Sequence, residues 1–201
     1  MVKKNNRKTI ILSLAGIVLL ILAVIGVSYA AVFYAKTGEK INRVTTGTMT
    51  MSYSENTNGI NLMDAYPITD EVGKSLNEEG EYFDFTVAAT MGGDVVINYV
   101  ITAAKTDDST LPDNAIKVYL TNINNSTETQ VLKPTKVSDL QVTSDNPSGA
   151  PNGQFELLAS NFNKTSVRNY RLRMWISNDY TLPNFSQVYK LRVNVYGAVG
   201  S

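Results

Sequence analysis

The sequence has no cysteine and no histidine. Their absence removes disulfides, thiol nucleophiles, Ser-His and Cys-His catalytic pairs, and the nitrogen and sulfur ligands of ordinary zinc sites. A metal site would have to be built from oxygen alone. Phosphate-cradling glycine motifs are missing too: neither G-x-x-x-x-G-K-[ST] nor G-x-G-x-x-G occurs. No cofactor is expected from such a chain. Net charge is also absent, since 18 Lys and Arg balance 18 Asp and Glu. That balance hides an asymmetry. Lys3, Lys4, Arg7 and Lys8 lie in a stretch without acids, and setting these four aside leaves 14 basic against 18 acidic residues. A mildly acidic body argues against a nucleic-acid partner, because phosphate contacts need clustered Lys and Arg.

What is present begins with a hydrophobic run. No charge interrupts the chain from Ile10 to Ala35, and four positive residues precede it. A basic tip of this kind stays cytoplasmic while the rest crosses the membrane. Two readings fit. In the first, residues 1–35 include a signal peptide, with Ser28 and Ala30 as the small residues of a cleavage site and Ala31 as the mature start. In the second they form an uncleaved anchor, for which about 20 apolar residues suffice. Both place residues 36–201 outside, either extracellular or at the cell surface, and both make the membrane a partner.

From about residue 44 the apolar period becomes two, the mark of half-buried strands. Met49, Met51 and Tyr53 alternate with polar residues. The same alternation marks Phe83–Ala89, Val95–Ile101, Ile116–Leu120, Tyr170–Ile176 and Tyr189–Val195, with weaker strands at 128–133 and 154–160. Val96 and Val100 occupy the second face of the 95–101 strand, which implies cover on both sides. Turn sequences separate the runs, including Met91-Gly92-Gly93-Asp94 and Leu111-Pro112-Asp113-Asn114. The stretch 135–153, rich in Ser, Pro, Gly and Asn, reads as an exposed loop. One short helix is expected over Thr69–Leu76, with Asp70 and Glu71 at its electropositive start. The expectation is an all-β fold. It is a two-sheet antiparallel β-sandwich of jelly-roll type, preceded by one N-terminal hydrophobic helix.

Four pieces in order carry a family resemblance. Ser28-Tyr29-Ala30-Ala31-Val32-Phe33 closes the apolar segment, and Thr46-Gly47-Thr48-Met49-Thr50-Met51 opens the strand region. Tyr66-Pro67-Ile68-Thr69-Asp70-Glu71 makes a proline turn that leads to the strand Tyr82-Phe83-Asp84-Phe85-Thr86-Val87. In these the chain resembles the TasA/camelysin group of exported proteins from Gram-positive bacteria, the biofilm-matrix fibre type. The resemblance implies a jelly-roll sandwich, processing by a signal peptidase, and extracellular self-association in which a released N-terminal strand completes the sheet of the next subunit. Ala31-Val32-Phe33-Tyr34-Ala35 is then the assembly strand. The competing reading of the same five residues is the outer end of an anchor helix.

Two clusters suggest chemistry. Asp107, Asp108 and Asp113 lie in one loop and could offer oxygen ligands to Ca²⁺, but the EF-hand alternation and central glycine are missing, so solvated turn acids are the simpler account. Arg171, Arg173 and Trp175 share a strand face, and Lys190 and Arg192 share the equivalent face of the last strand. A hairpin centred near Leu182 would set Arg171 opposite Arg192 and Arg173 opposite Lys190. Like charges directly opposite are destabilising. Either nearby acids neutralise them, with Asp84 as a candidate, or the face takes an anionic partner such as a cell-wall polymer. The leading functional expectation is an exported, non-enzymatic surface or matrix protein that self-assembles through sheet edges. The alternatives are an uncleaved, membrane-tethered binding module for a wall polymer or protein, and a secreted metal-dependent hydrolase.

Overall fold

A computed structural model describes residues 42–46, 49–57, 59–60, 65–92, 95–144, 148–183 and 187–200. The hydrophobic segment 1–35, the cleavage residues Ser28, Ala30 and Ala31, and the assembly strand Ala31–Ala35 lie outside the described residues. Among the described residues no helix is long and apolar enough to cross a membrane.

The described residues form nine strands. They are β1 (Asn42–Thr46), β2 (Met49–Glu55), β3 (Tyr82–Thr90), β4 (Ile97–Lys105), β5 (Ile116–Asn122), β6 (Thr129–Lys136), β7 (Phe155–Phe162), β8 (Ser166–Ile176) and β9 (Leu191–Val199). A six-residue helix, α1 (Asp70–Ser75), lies between β2 and β3. The strands build two antiparallel sheets, ordered β1-β2-β3-β8-β5-β6 and β7-β4-β9. The protein is therefore an all-β sandwich, with its strands divided six and three.

Alternation decides which side of each strand is buried. On β3 the odd positions Phe83, Phe85, Val87 and Ala89 face inward; on β8 the even positions Tyr170, Leu172 and Ile176 do so. Facing them are Ile97, Tyr99, Ile101 and Ala103 of β4. Phe85 lies 5.6 Å from the rings of both Phe83 and Tyr170, which ties neighbouring strands together through aromatic contact. Full burial of one such side chain is worth about 1.5–3 kcal/mol. At one end the sheets meet so closely that a Cβ on Gly197 would sit 2.5 Å from the Met51 sulfur, so a larger residue there would require the Met51 side chain to move.

Three sequence expectations need correction. β8 and β9 do not form a hairpin. β8 pairs with β3 and β5, while β9 pairs with β4 in the other sheet. Tyr180 and Leu182 pack against the core, so the connecting segment spans the sandwich instead of turning back at Leu182. The stretch 135–153 is not simply an exposed loop. Val137, Thr143, Ser148 and Ala150 are buried in it, and Val142 bridges Phe155 at the outer side of β7. Finally, Val96 is exposed and lies before β4 begins, although Val100 on the same side is buried.

Candidate functional site

Four strands end the two sheets, and they differ. β6 carries Lys133, Pro134 and Lys136, and its pairing with β5 is interrupted by two register irregularities. Proline, lysine and bulges are the usual devices that keep an edge from recruiting another strand. The outer side of β7 is partly covered, because Val142 pairs with Phe155 and Glu156 N–H donates to the Gln141 carbonyl. β1 is only five residues long. Among the described residues β9 has none of these protections. It runs for nine residues, Leu-Arg-Val-Asn-Val-Tyr-Gly-Ala-Val, with one charge and no proline. Among the described residues it pairs with β4 on one side only.

A cleft of about 860 Å³ opens beside the first residues of β9. Phe83, Leu172, Met174 and Ile176 from the six-stranded sheet line it with Leu191 and Val193 from β9. Glu55 stands at its rim, where its carboxylate accepts a hydrogen bond from the Tyr53 hydroxyl at 3.2 Å. Burial, more than that carboxylate, drives the Tyr53 phenol far above its ordinary value.

The five residues of the expected cationic face are not one surface. Arg171, Arg173 and Trp175 lie on the outer face of β8. Lys190 precedes β9 and pairs with Asp108 in the open, and Arg192 is exposed on β9 in the other sheet. Arg171 sits directly across from Asp84 in the β3–β8 register. Its Nε and Nη2 donate to both Asp84 oxygens at 2.7 and 2.8 Å, a bidentate pair. Its guanidinium also lies 3.8 Å from the centre of the Tyr82 ring. Arg173 donates through Nη1 and Nη2 to Glu128 at 2.7 and 2.9 Å. The hydrogen bond from Arg173 holds the Glu128 carboxyl below the usual range; burial opposes it, and Thr121 and the two arginine charges assist.

The segment that contains α1 lies over these residues. Arg171 Nη1 donates to the Asn77 side chain at 2.7 Å, and Arg173 Nε donates to the Leu76 carbonyl. Lys117 on β5 donates to Asp70 at 2.8 Å. Gly73 rests on the Trp175 ring so closely that a Cβ would lie 2.3 Å from it. The sequence offered one signal for this arrangement, the paired arginines that had to be neutralised. It offered none for Glu128, which stands in the β5–β6 connection.

Two of the three carboxylates of the 107–113 loop are engaged by lysine. Asp108 accepts from Lys190 and from the Thr106 hydroxyl, and these bonds lower its pKa. Asp113 accepts from Lys105 at 2.9 Å and from the Tyr189 hydroxyl at 2.8 Å. Asp107 is exposed. Among the described residues no three acids are gathered as metal ligands.

No family model matches the chain, and no curated protein matches it. It is similar to a solved structure described as "AvmM Catalyzes Macrocyclization in Alchivemycin A Biosynthesis", at 12% identity over 80% of this chain and 95% of that one. The TM-score is 0.25, and a likeness at that level carries no argument about fold or activity.

Proposed function

We propose that the protein is an exported surface or extracellular-matrix structural protein that self-assembles through sheet-edge contacts. The observation that carries this reading is the contrast between β9, a long edge with one charge and no proline, and β6, an edge protected by proline, lysines and irregular register. An open edge displays a row of unpaired backbone donors and acceptors, which an added strand satisfies. The strand proposed to fill it is Ala31–Ala35 of a neighbouring copy, released by signal peptidase after Ala30. Extended, its five residues span about 17 Å. Ala31, Phe33 and Ala35 share one face, so Phe33 is the side chain offered to the apolar cleft beside Leu191 and Val193.

The test starts with the N-terminus of the protein as it stands on the cell surface, followed by electron microscopy of that material. A start at Ala31 and fibres are expected, and deleting 31–36 should abolish the fibres. Fibres that survive the deletion would refute the donor-strand reading. A second reading, a membrane-tethered binding module, is favoured by the cleft itself, whose volume and apolar lining suit a bound group. It requires surface protein with an intact Met1 or Val2, binding a wall polymer or protein as a monomer.

A further inference from the structure

We infer that residues 68–81 form a strap held over the outer face of β8 by charge, which lifts when the carboxylates beneath it are neutralised and so opens the Arg171, Arg173 and Trp175 surface. The strap has little apolar anchorage: Gly73 rests on the Trp175 ring, and Ile68 and Leu76 are only half-buried. Gly73 is its only buried residue, and Val72 is 49% exposed. What ties it to the sheet is polar: Arg171 to Asn77, Arg173 to the Leu76 carbonyl, Lys117 to Asp70, and one backbone bridge between Ile68 and Ser177. Its internal turn is polar as well, since the Glu81 carboxylate accepts from the backbone N–H groups of Asn77 and Glu78, both at 2.8 Å.

The charges underneath make this arrangement conditional. Arg173 is 3% exposed, and burial of a guanidinium is tolerable only with its counter-charge in place. From β3 come Asp84 and Tyr82; from the β5–β6 connection comes Glu128; from β5 come Lys117, Tyr119 and Thr121; from the strap come Asp70, Glu71, Lys74, Glu78, Glu79 and Glu81. Protonating Glu128 leaves the Arg173 guanidinium under a cover with no carboxylate to oppose it. Hydrating it requires the cover to move, and the strap is the element with least to lose. Lifting it also gives water access to the Trp175 indole N–H, which is buried and finds no hydrogen-bond partner. The sign follows from Glu128. Its folded pKa is lowered from the ordinary 4.5, so its contribution is complete above that value and is lost as the pH falls through the lowered one. The arginine face is therefore closed at neutral pH and open in acid.

Trp175 is the single tryptophan of the chain, so its fluorescence reports on one ring, against which Gly73 of the strap rests. The full chain in detergent micelles is titrated from neutral to acid pH while emission, acrylamide quenching and the far-UV strand signal are followed together. The expected result is a red shift and increased quenching that precede any loss of strand signal. Glu128→Gln combined with Asp84→Asn should show the open signature at neutral pH. The inference is overturned if Trp175 responds only in step with loss of the strand signal, or if the Glu128→Gln, Asp84→Asn variant keeps Trp175 shielded at neutral pH.

Discussion

β8 is buried on both faces, and the two faces are buried by different physics. Leu172 on the inner face and Arg173 on the outer face are each 3% exposed. Leu172 is covered by the opposing sheet and its aromatic neighbours, an arrangement whose energy scales with apolar area and is indifferent to pH. Arg173 is covered by a six-residue helix and a loop, and it stays there because Glu128 and the Leu76 carbonyl meet its donors. Area is lost gradually as atoms are removed. A paired charge fails abruptly, because removing one partner leaves the other buried and uncompensated. The same strand thus carries a permanent interface on one side and a conditional one on the other.

The comparison can be broken most forcefully from the inside. Phe85 is fully buried at the centre of three aromatic contacts, with Tyr53, Phe83 and Tyr170. Phe85→Ala should cost about 3–5 kcal/mol in urea unfolding, with one cooperative transition and the same loss at every pH where the protein folds. On the outer face, Glu128→Ala strands Arg173. Because the Glu128 side chain is 35% exposed, water recovers part of that penalty, and about 1–3 kcal/mol is expected at neutral pH. The loss should vanish in acid, where the parent has lost the same pair. Pairing Glu128→Leu with Arg173→Met should restore most of the stability, since an apolar replacement of a covered ion pair is often neutral. If the double variant is as weak as the single one, the outer face is held by packing and the contrast between the faces collapses.

Much of this architecture could be read from the chain, and what could not was long-range. Period-two alternation located eight strands, because each buries one face and the residues say which. β1 escaped because Asn42-Arg43-Val44-Thr45-Thr46 has a single apolar residue and so no alternation to detect. α1 was legible from Pro67 and the acids Asp70 and Glu71. Partner choice was not legible. The expected β8–β9 hairpin followed from neighbours in sequence, whereas Tyr180 and Leu182 carry the chain across the core to the other sheet. The expected clash of Arg171 and Arg173 with another basic strand does not arise, because β9 lies in the other sheet; Asp84, the candidate acid, does pair with Arg171 through the β3–β8 register. Glu128 could not be foreseen, since nothing local distinguishes it from a solvated acid in a polar connection. An open sheet edge such as β9 likewise becomes visible only when the sheet order is known.

Gly73→Ala tests the strap without touching any charge. The new Cβ would fall 2.3 Å from the Trp175 ring, and neither the helix backbone nor an indole is a flexible tip that can yield cheaply. Overpacking of this kind costs about 1–3 kcal/mol. The loss should be local: Trp175 emission moves red at neutral pH while the midpoint of strand unfolding shifts little. An unchanged emission would mean that the helix does not depend on contact with the indole.

The smallest effect belongs to Asp108→Asn, and it sharpens the comparison because the chemistry is the same. Asp108 and Lys190 form a carboxylate–cation pair, as Glu128 and Arg173 do, but their side chains are 58% and 57% exposed. Water solvates both partners whether or not they meet, and exposed pairs are screened and entropically taxed. The substitution should leave the unfolding midpoint unchanged within error at low and high salt. A loss comparable to that of Glu128→Ala would show that pairing alone, not cover, makes a charge matter in this fold. The strap would then have no special claim on the arginines it covers.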